Sequence, residues 1–192
     1  MKDSSLIARK LAPIRHAVCG SPDYFRKHGK PKVPADLKDH KALLKLVIAY
    51  NKFERIRVHR QSLSQGLDVL LRNPSQGKMW LMENHKKPVG YALLTYNFEL
   101  EYGGAEGVLR DLFVEKRFRN QGIGSLALYE IEDYCRERGM RAFQLQLPLR
   151  NKAAAIFYRK AGFRELPRRV MILEVRPEEV VQARRISASK RR

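Results

Sequence analysis

The stretch "VEKRFRNQGIGSLAL", Val114 to Leu128, holds the residue types best suited to chemistry. An apolar run before it reads as a strand. A basic loop follows, and two glycines, Gly122 and Gly124, open a segment with helical periodicity. Glycine lets a backbone approach a ligand closely and adopt positive φ. The first N–H groups of a helix have no partner inside it. Together these make an anion site suited to phosphate, and Lys116, Arg117 and Arg119 add charge beside it. A P-loop would need G-x-x-x-x-G-K-[ST], which is absent. Gly122, Gly124 and Ala127 match the dinucleotide pattern G-x-G-x-x-A. That pattern should leave a strand directly and be followed by an acid. Here a charged loop intervenes and the next strand ends in "LPLRN", so the dinucleotide reading is rejected. What remains is R-x-x-G-x-G, Arg119 to Gly124.

The elements that must position this loop follow from periodicity. "PADLKDHKALLKLVIAYNKFE" reads as a helix with Leu37, Leu43, Leu44, Val47, Ile48 and Phe53 mostly on one face, and 62–72 as a second. The period then changes. "KMWLMEN" and "KPVGYALLTYNFELEY" read as strands joined by a turn at Asn84–Lys87, and 107–115 as a third strand. A helix over 122–138 ends at Gly139. "RAFQLQLPL" is a strand with Phe143, Leu145 and Leu147 alternating. A helix over 151–161 is capped by Asn151 and stopped by Gly162, and a last strand spans 168–175. Near the start, 14–19 reads as a strand, and Ser21–Pro22 as a helix start ending before Gly29. The order predicts an α/β or α+β domain with a central mixed sheet.

The 192 residues suffice for one domain with an appendage, and an apolar fraction of 44% supports a core. Lys plus Arg is 39 against 20 acids, a net charge of +19, which points to an anionic partner without choosing one. Cys19 and Cys135 offer neither a disulfide framework nor a zinc spacing, so two reduced thiols, no metal site and a cytoplasmic protein are expected. No apolar run is long enough to cross a bilayer, and no membrane partner is expected. The five histidines show no ligand spacing; His59 and His85 read as surface residues and Trp80 as core. No ribonucleoprotein motif, helix-turn-helix or zinc finger is present, so nucleic acid is not a favoured partner.

With "VLRDLFV", "RNQGIG" and, about thirty residues on, "NKAAAIFYRKAGF" in this order, the chain resembles the GNAT acetyltransferase superfamily over about 41–175. The resemblance implies a mixed, mostly antiparallel sheet with a splayed parallel strand pair, here 107–115 and 141–147, flanked by helices. It implies acetyl-CoA between those strands as co-substrate. The pyrophosphate would lie on the amides of Gln121, Gly122, Ile123, Gly124 and Ser125 with Arg119 beside it, and the pantetheine arm against backbone near Leu112 and Val114. Asn151 would lie near a pantetheine amide as well as capping its helix. Tyr158 would lie near the sulfur and protonate the leaving thiolate, although a tyrosine on an amphipathic helix is also an ordinary core residue.

The acceptor would be an amine that loses a proton before attack. Diamine-type relatives carry "ED" before their "[IL][YF]V"; here the pair is Arg110–Asp111, which puts a diamine substrate in doubt. Asp111 can still act as base, directly or through water. Glu99, Glu101 and Glu106 are expected near the acceptor rim. The reading is an N-acetyltransferase of a small molecule or peptide, with a homodimer left open. A CoA-binding module without chemistry and a charge-driven nucleic-acid-binding protein are the alternatives.

Residues 4–40, "SSLIARKLAPIRHAVCGSPDYFRKHGKPKVPADLKDH", resemble instead a segment of the effector-binding domain of LysR-type transcriptional regulators. The expected organisation is therefore a regulator-like fragment over 1–40, the acetyltransferase domain over 41–175 and a basic tail over 176–192. "IRHAVC" is expected either to replace the acetyltransferase's first strand at the sheet edge or to belong to a loosely packed appendage.

Overall fold

In the computed structural model of the chain, residues 7–9, 18–20 and 37–173 are described. The chain divides into two units, Met1–Ala161 and Gly162–Arg192. The first unit holds β1 (Ile7–Arg9), β2 (Val18–Gly20), α1 (Leu37–Glu54), α2 (Arg60–Arg72), β3 (Gly77–Asn84), β4 (Lys87–Glu99), β5 (Gly104–Val114), α3 (Ile123–Glu137), β6 (Phe143–Leu145) and α4 (Lys152–Lys160). The mixed α+β architecture expected from the sequence is present. Its sheet runs β3-β4-β5-β6, antiparallel except for the parallel pair β5–β6.

The sheet is covered on both faces, which explains why β3 reads as an almost continuous apolar run. On one face Leu43, Leu44 and Leu46 of α1 and Leu67 of α2 bury against Met79, Leu81, Tyr91 and Phe113. On the other, Trp80 meets Tyr134 of α3 edge-on at 5.5 Å. Trp80 is thus a core residue, only 1% exposed. The β3–β4 turn places both His85 and Lys86 at positive φ, the geometry of a two-residue hairpin whose twist matches its strands.

Two irregularities shape the centre of the sheet. Leu93 pairs with Asp111 but Leu94 pairs with Leu109, so Arg110 is the extra residue of a β-bulge. On its other side β5 pairs with β6 only from Gly107↔Phe143 to Leu109↔Leu145. Beyond that point β5 runs on to Val114 while β6 ends, and the two part. The alternation of "RAFQLQLPL" therefore overstates the strand, because pairing lasts only while β5 stays within reach.

Three expectations are changed or fall outside the described residues. Val18 and Cys19 pair with Arg9 and Ala8 in a two-stranded sheet; β2 lies beside β3, the edge of the larger sheet, with no ladder between the two, and residues 14–17 and the helix expected over 21–28 lie outside the described residues. Over its described residues, 162–173, the second unit forms no helix or strand. The strand expected over 168–175 is thus not formed over 168–173, where Met171, Ile172 and Leu173 are 87–92% exposed. Strand propensity registers fit to a pleated, half-buried surface, and without a paired neighbour the apolar alternation alone does not make one. Among the described residues no helix is long and apolar enough to cross a membrane.

Candidate active site

A cavity of about 440 Å³ opens where β5 and β6 part. Its walls come from the C-terminal half of α1, residues 109, 110 and 112–114 of β5, the loop at 118–120, the start of α3, the end of β6 with the segment after it, and α4. Leu112, Val114, Arg119, Gly122, Ile123, Gly124, Ser125, Asn151 and Tyr158 all line it. These residues span nearly fifty positions of sequence, and the fold brings them to one surface. Gln121 and Asp111 do not line it; the Gln121 side-chain Nε2 donates to the Arg117 carbonyl at 3.1 Å.

One end of the cavity is built for an anion. Gly122 is the N-cap of α3 at φ 82°, a left-handed conformation that costs glycine nothing, and no side chain caps the helix. The first helical bond is Leu126 N–H to the Gly122 carbonyl, so the amides of Ile123, Gly124 and Ser125 precede the internal ladder. Gly124 serves differently from Gly122. A Cβ there would lie 3.3 Å from the Phe157 ring, so its missing side chain lets α3 and α4 pack closely. Arg119 donates from Nε to the Val114 carbonyl at 2.8 Å and lays its guanidinium over Phe53 at 4.7 Å. That contact fixes the arginine beside the helix start, and it also occupies a β5 carbonyl.

The other end is a tyrosine cluster around one acid. Tyr91 donates to Asp111 Oδ2 at 2.8 Å, and the Tyr50 phenol of α1 also favours the charged form of that carboxylate. Burial pushes the Asp111 carboxyl above its ordinary range; both phenols and the Arg110 charge oppose the shift without cancelling it. Tyr50 and Tyr91 are raised by burial first and by the Asp111 charge second. Tyr158 on α4 is pushed up to about 12 by the same two causes. Tyr50 and Tyr158, both of which feel the Asp111 charge, line the cavity, whereas Asp111 does not.

Asn151 accepts from Ala154 N–H at 3.2 Å and so caps α4 as the sequence predicts. Glu54, at the end of α1, lines the cavity and is held by Arg150 from the segment after β6. Arg150 Nη2 lies 2.7 Å from the Glu54 carboxylate and 2.9 Å from its carbonyl. Glu99, Glu101 and Glu106 are not on the cavity wall. Glu106 is 3% exposed and accepts from the Gln144 amide at 2.9 Å, a place in the sheet rather than at an acceptor rim. Tyr50, Glu54, Tyr91 and Arg150 were not singled out from the sequence. The available signal was Tyr50 and Glu54 one turn apart on α1, next to its apolar stripe. Among the described residues no group of His, Cys, Asp or Glu could hold a metal.

The model of the acetyltransferase (GNAT) family matches residues 44–163. The chain belongs to that family. Its match thus includes every cavity residue named above. The chain is 26% identical over 118 residues to an uncharacterized N-acetyltransferase of Methanocaldococcus jannaschii, covering 61% of this chain and 52% of that protein. It therefore spans about half the length of that relative. A predicted acetyltransferase from Clostridium acetobutylicum, solved with acetyl-CoA, shares the GNAT fold at TM-score 0.61 and 18% identity, covering 72% of this chain and 92% of the other. A second likeness is partial: 38% identity over 71 residues to an HTH-type transcriptional regulator of Xanthomonas campestris, 36% of this chain and 19% of that protein.

Proposed function

We propose that this GNAT protein is an N-acetyltransferase that moves an acetyl group from acetyl-CoA to an amine by direct attack. The observation that carries the proposal is one cavity with uncapped helix amides at one end and the Tyr158 phenol at the other. Acetyl-CoA would supply a thioester carbonyl and a thiolate leaving group. The amides of Ile123, Gly124 and Ser125, with Arg119 beside them, suit its diphosphate. The stretch of β5 at Leu112 and Val114, paired with β4 but not with β6, offers backbone to the pantetheine arm, with Arg119 giving up the Val114 carbonyl if that group is used.

The residues divide the proton work. A phenol held near 12 stays protonated throughout the working range of pH. A free thiol titrates near 8.5, so Tyr158 stabilises the departing sulfur chiefly as a hydrogen-bond donor. Asp111, raised by burial, is a stronger proton acceptor than an ordinary carboxylate. Tyr50 lines the cavity and feels the Asp111 charge, so in this reading its phenol relays a proton from an arriving ammonium to Asp111. The ammonium yields one proton to Asp111 before attack; as the C–N bond forms and the C–S bond breaks, the nitrogen loses a second, which ends on the thiolate to give the free thiol of CoA.

The test is thiol release with acetyl-CoA over a panel of amines. Tyr158→Phe should keep its protection by acetyl-CoA against heat and turn over about 10²-fold more slowly or worse. Equal turnover by the two proteins would remove the role given to Tyr158. Persistent silence of the wild type with intact heat protection would support a CoA-binding module instead.

A further inference from the structure

We propose that Arg110 selects the acceptor, and that the acceptor is an amine carrying an oxyanion, a carboxylate or phosphate group, rather than a polyamine. This inference rests on the transferase reading above and assigns its substrate class.

Three charged side chains line the cavity: Glu54, Arg110 and Arg119. Glu54 already has a counter-ion in Arg150, and its side chain is only 8% exposed. It offers a second cation little. Arg119 stands at the helix-amide end, bonded to the Val114 carbonyl and stacked on Phe53. Arg110 is the remaining charge. Its Nε donates to a neutral partner, Thr95 Oγ1, at 3.1 Å. No acid among the described residues forms an ion pair with it. Its chain neighbour Asp111 feels its charge but accepts its hydrogen bond from Tyr91.

The backbone fixes where this charge stands. Arg110 is the extra residue of the β5 bulge, at the level where β5 and β6 part and the cavity begins. With Nε anchored, both Nη groups remain as donors in a planar fork, the geometry that matches a carboxylate or phosphate. The chain next to Glu54 agrees in sign. The connection leaving α1, just after the cavity residue Glu54, carries the exposed Arg55 and Arg57, which form no ion pair among the described residues. A polyamine would bring like charge to this wall, whereas an oxyanion on the acceptor would supply the missing counter-charge and hold the amine at a fixed reach from Arg110.

The experiment compares matched acceptors by thiol release. A series of ω-amino acids is set against their carboxamides, the diamines of equal length and the aminoalkylphosphonates. We expect kcat/KM for the best acid to exceed that of its carboxamide by roughly ten- to a hundredfold, the worth of a charged hydrogen-bonded contact. The loss should fall mainly on KM. Arg110→Gln should abolish the difference, Arg110→Lys should keep part of it, and Arg110→Glu should turn the preference toward diamines. Heat protection by acetyl-CoA reports whether each variant is folded, and Arg110→Gln alone decides the matter if the Glu variant is not. The faster of carboxylate and phosphonate names the anion. A wild type that prefers diamines, or an acid-to-amide ratio unchanged by Arg110→Gln, overturns the inference while leaving acetyl transfer intact. No thiol release from any acceptor, in a protein that acetyl-CoA still protects, overturns the transferase reading and this inference with it.

Discussion

A carboxylate that two phenols favour in its charged form, and that does not itself line the cavity, works through its neighbours, and Asp111 is such a group. Its chemistry has a consequence for stability. Burial raises its folded pKa above the ordinary 3.8, so the fold favours the protonated acid. The stabilisation from this group is complete below pH 3.8 and is lost as pH rises through the raised value. Asp111→Asn removes the titration. Urea midpoints measured from acid to neutral pH should show the variant gaining on the wild type as pH rises. A constant difference between the two proteins across that range would mean that the phenols and Arg110 cancel the effect of burial, and a variant losing ground as pH rises would mean that they outweigh it. At this scale the sequence was most legible where a residue sits inside a motif. Tyr158, Arg119 and Asn151 were named from their motifs, and all three line the cavity. Tyr50 was missed because an aromatic beside an apolar helical stripe reads as core. Only the packing of α1 over β4 and β5 brings its phenol within reach of the Asp111 charge.

At the scale of elements, sequence was a good guide wherever a cap or turn marks a boundary. α4 begins after Asn151 and ends before Gly162, and α3 ends before Gly139 at φ 69°. It was a poor guide where a boundary depends on a distant partner, as for the short β6 and the unformed strand over 168–173. The bulge at Arg110 leaves no local signal, since it is a mismatch in register between two strands. Asn151 shows how cap and site can be separated. Its side chain holds Ala154 N–H, and it also lines the cavity. Asn151→Ala should lower stability by about 1 kcal/mol through loss of the cap. Asn151→Ser keeps a capping oxygen and should recover most of that loss in urea unfolding. If Asn151→Ser also recovers wild-type turnover, the side-chain amide has no role toward the co-substrate. Slow turnover in a stable Asn151→Ser protein would assign it one.

For the whole molecule the question is what the charge of +19 does. The cavity region accounts for little of it, and part of that is already engaged: Arg117 pairs with Glu115 at 3.0 Å, Arg150 with Glu54, and Arg119 with a carbonyl. Other basic residues are scattered, or cluster at the C-terminus as Arg184, Arg185, Lys190, Arg191 and Arg192. A scattered surplus attracts any polyanion through counter-ion release, an interaction that weakens steeply with salt. A phosphate cradle of helix amides keeps much of its affinity, because its donors are fixed dipoles screened less than exposed side chains. The two modes should therefore separate in one titration. Binding to duplex DNA should fall by orders of magnitude from low to physiological salt, while heat protection by acetyl-CoA declines far less. DNA added at physiological salt should leave thiol release unchanged. If DNA competes with acetyl-CoA there, the loop of Lys116, Arg117 and Arg119 serves nucleic acid as well, and the surplus charge belongs to the function of the site.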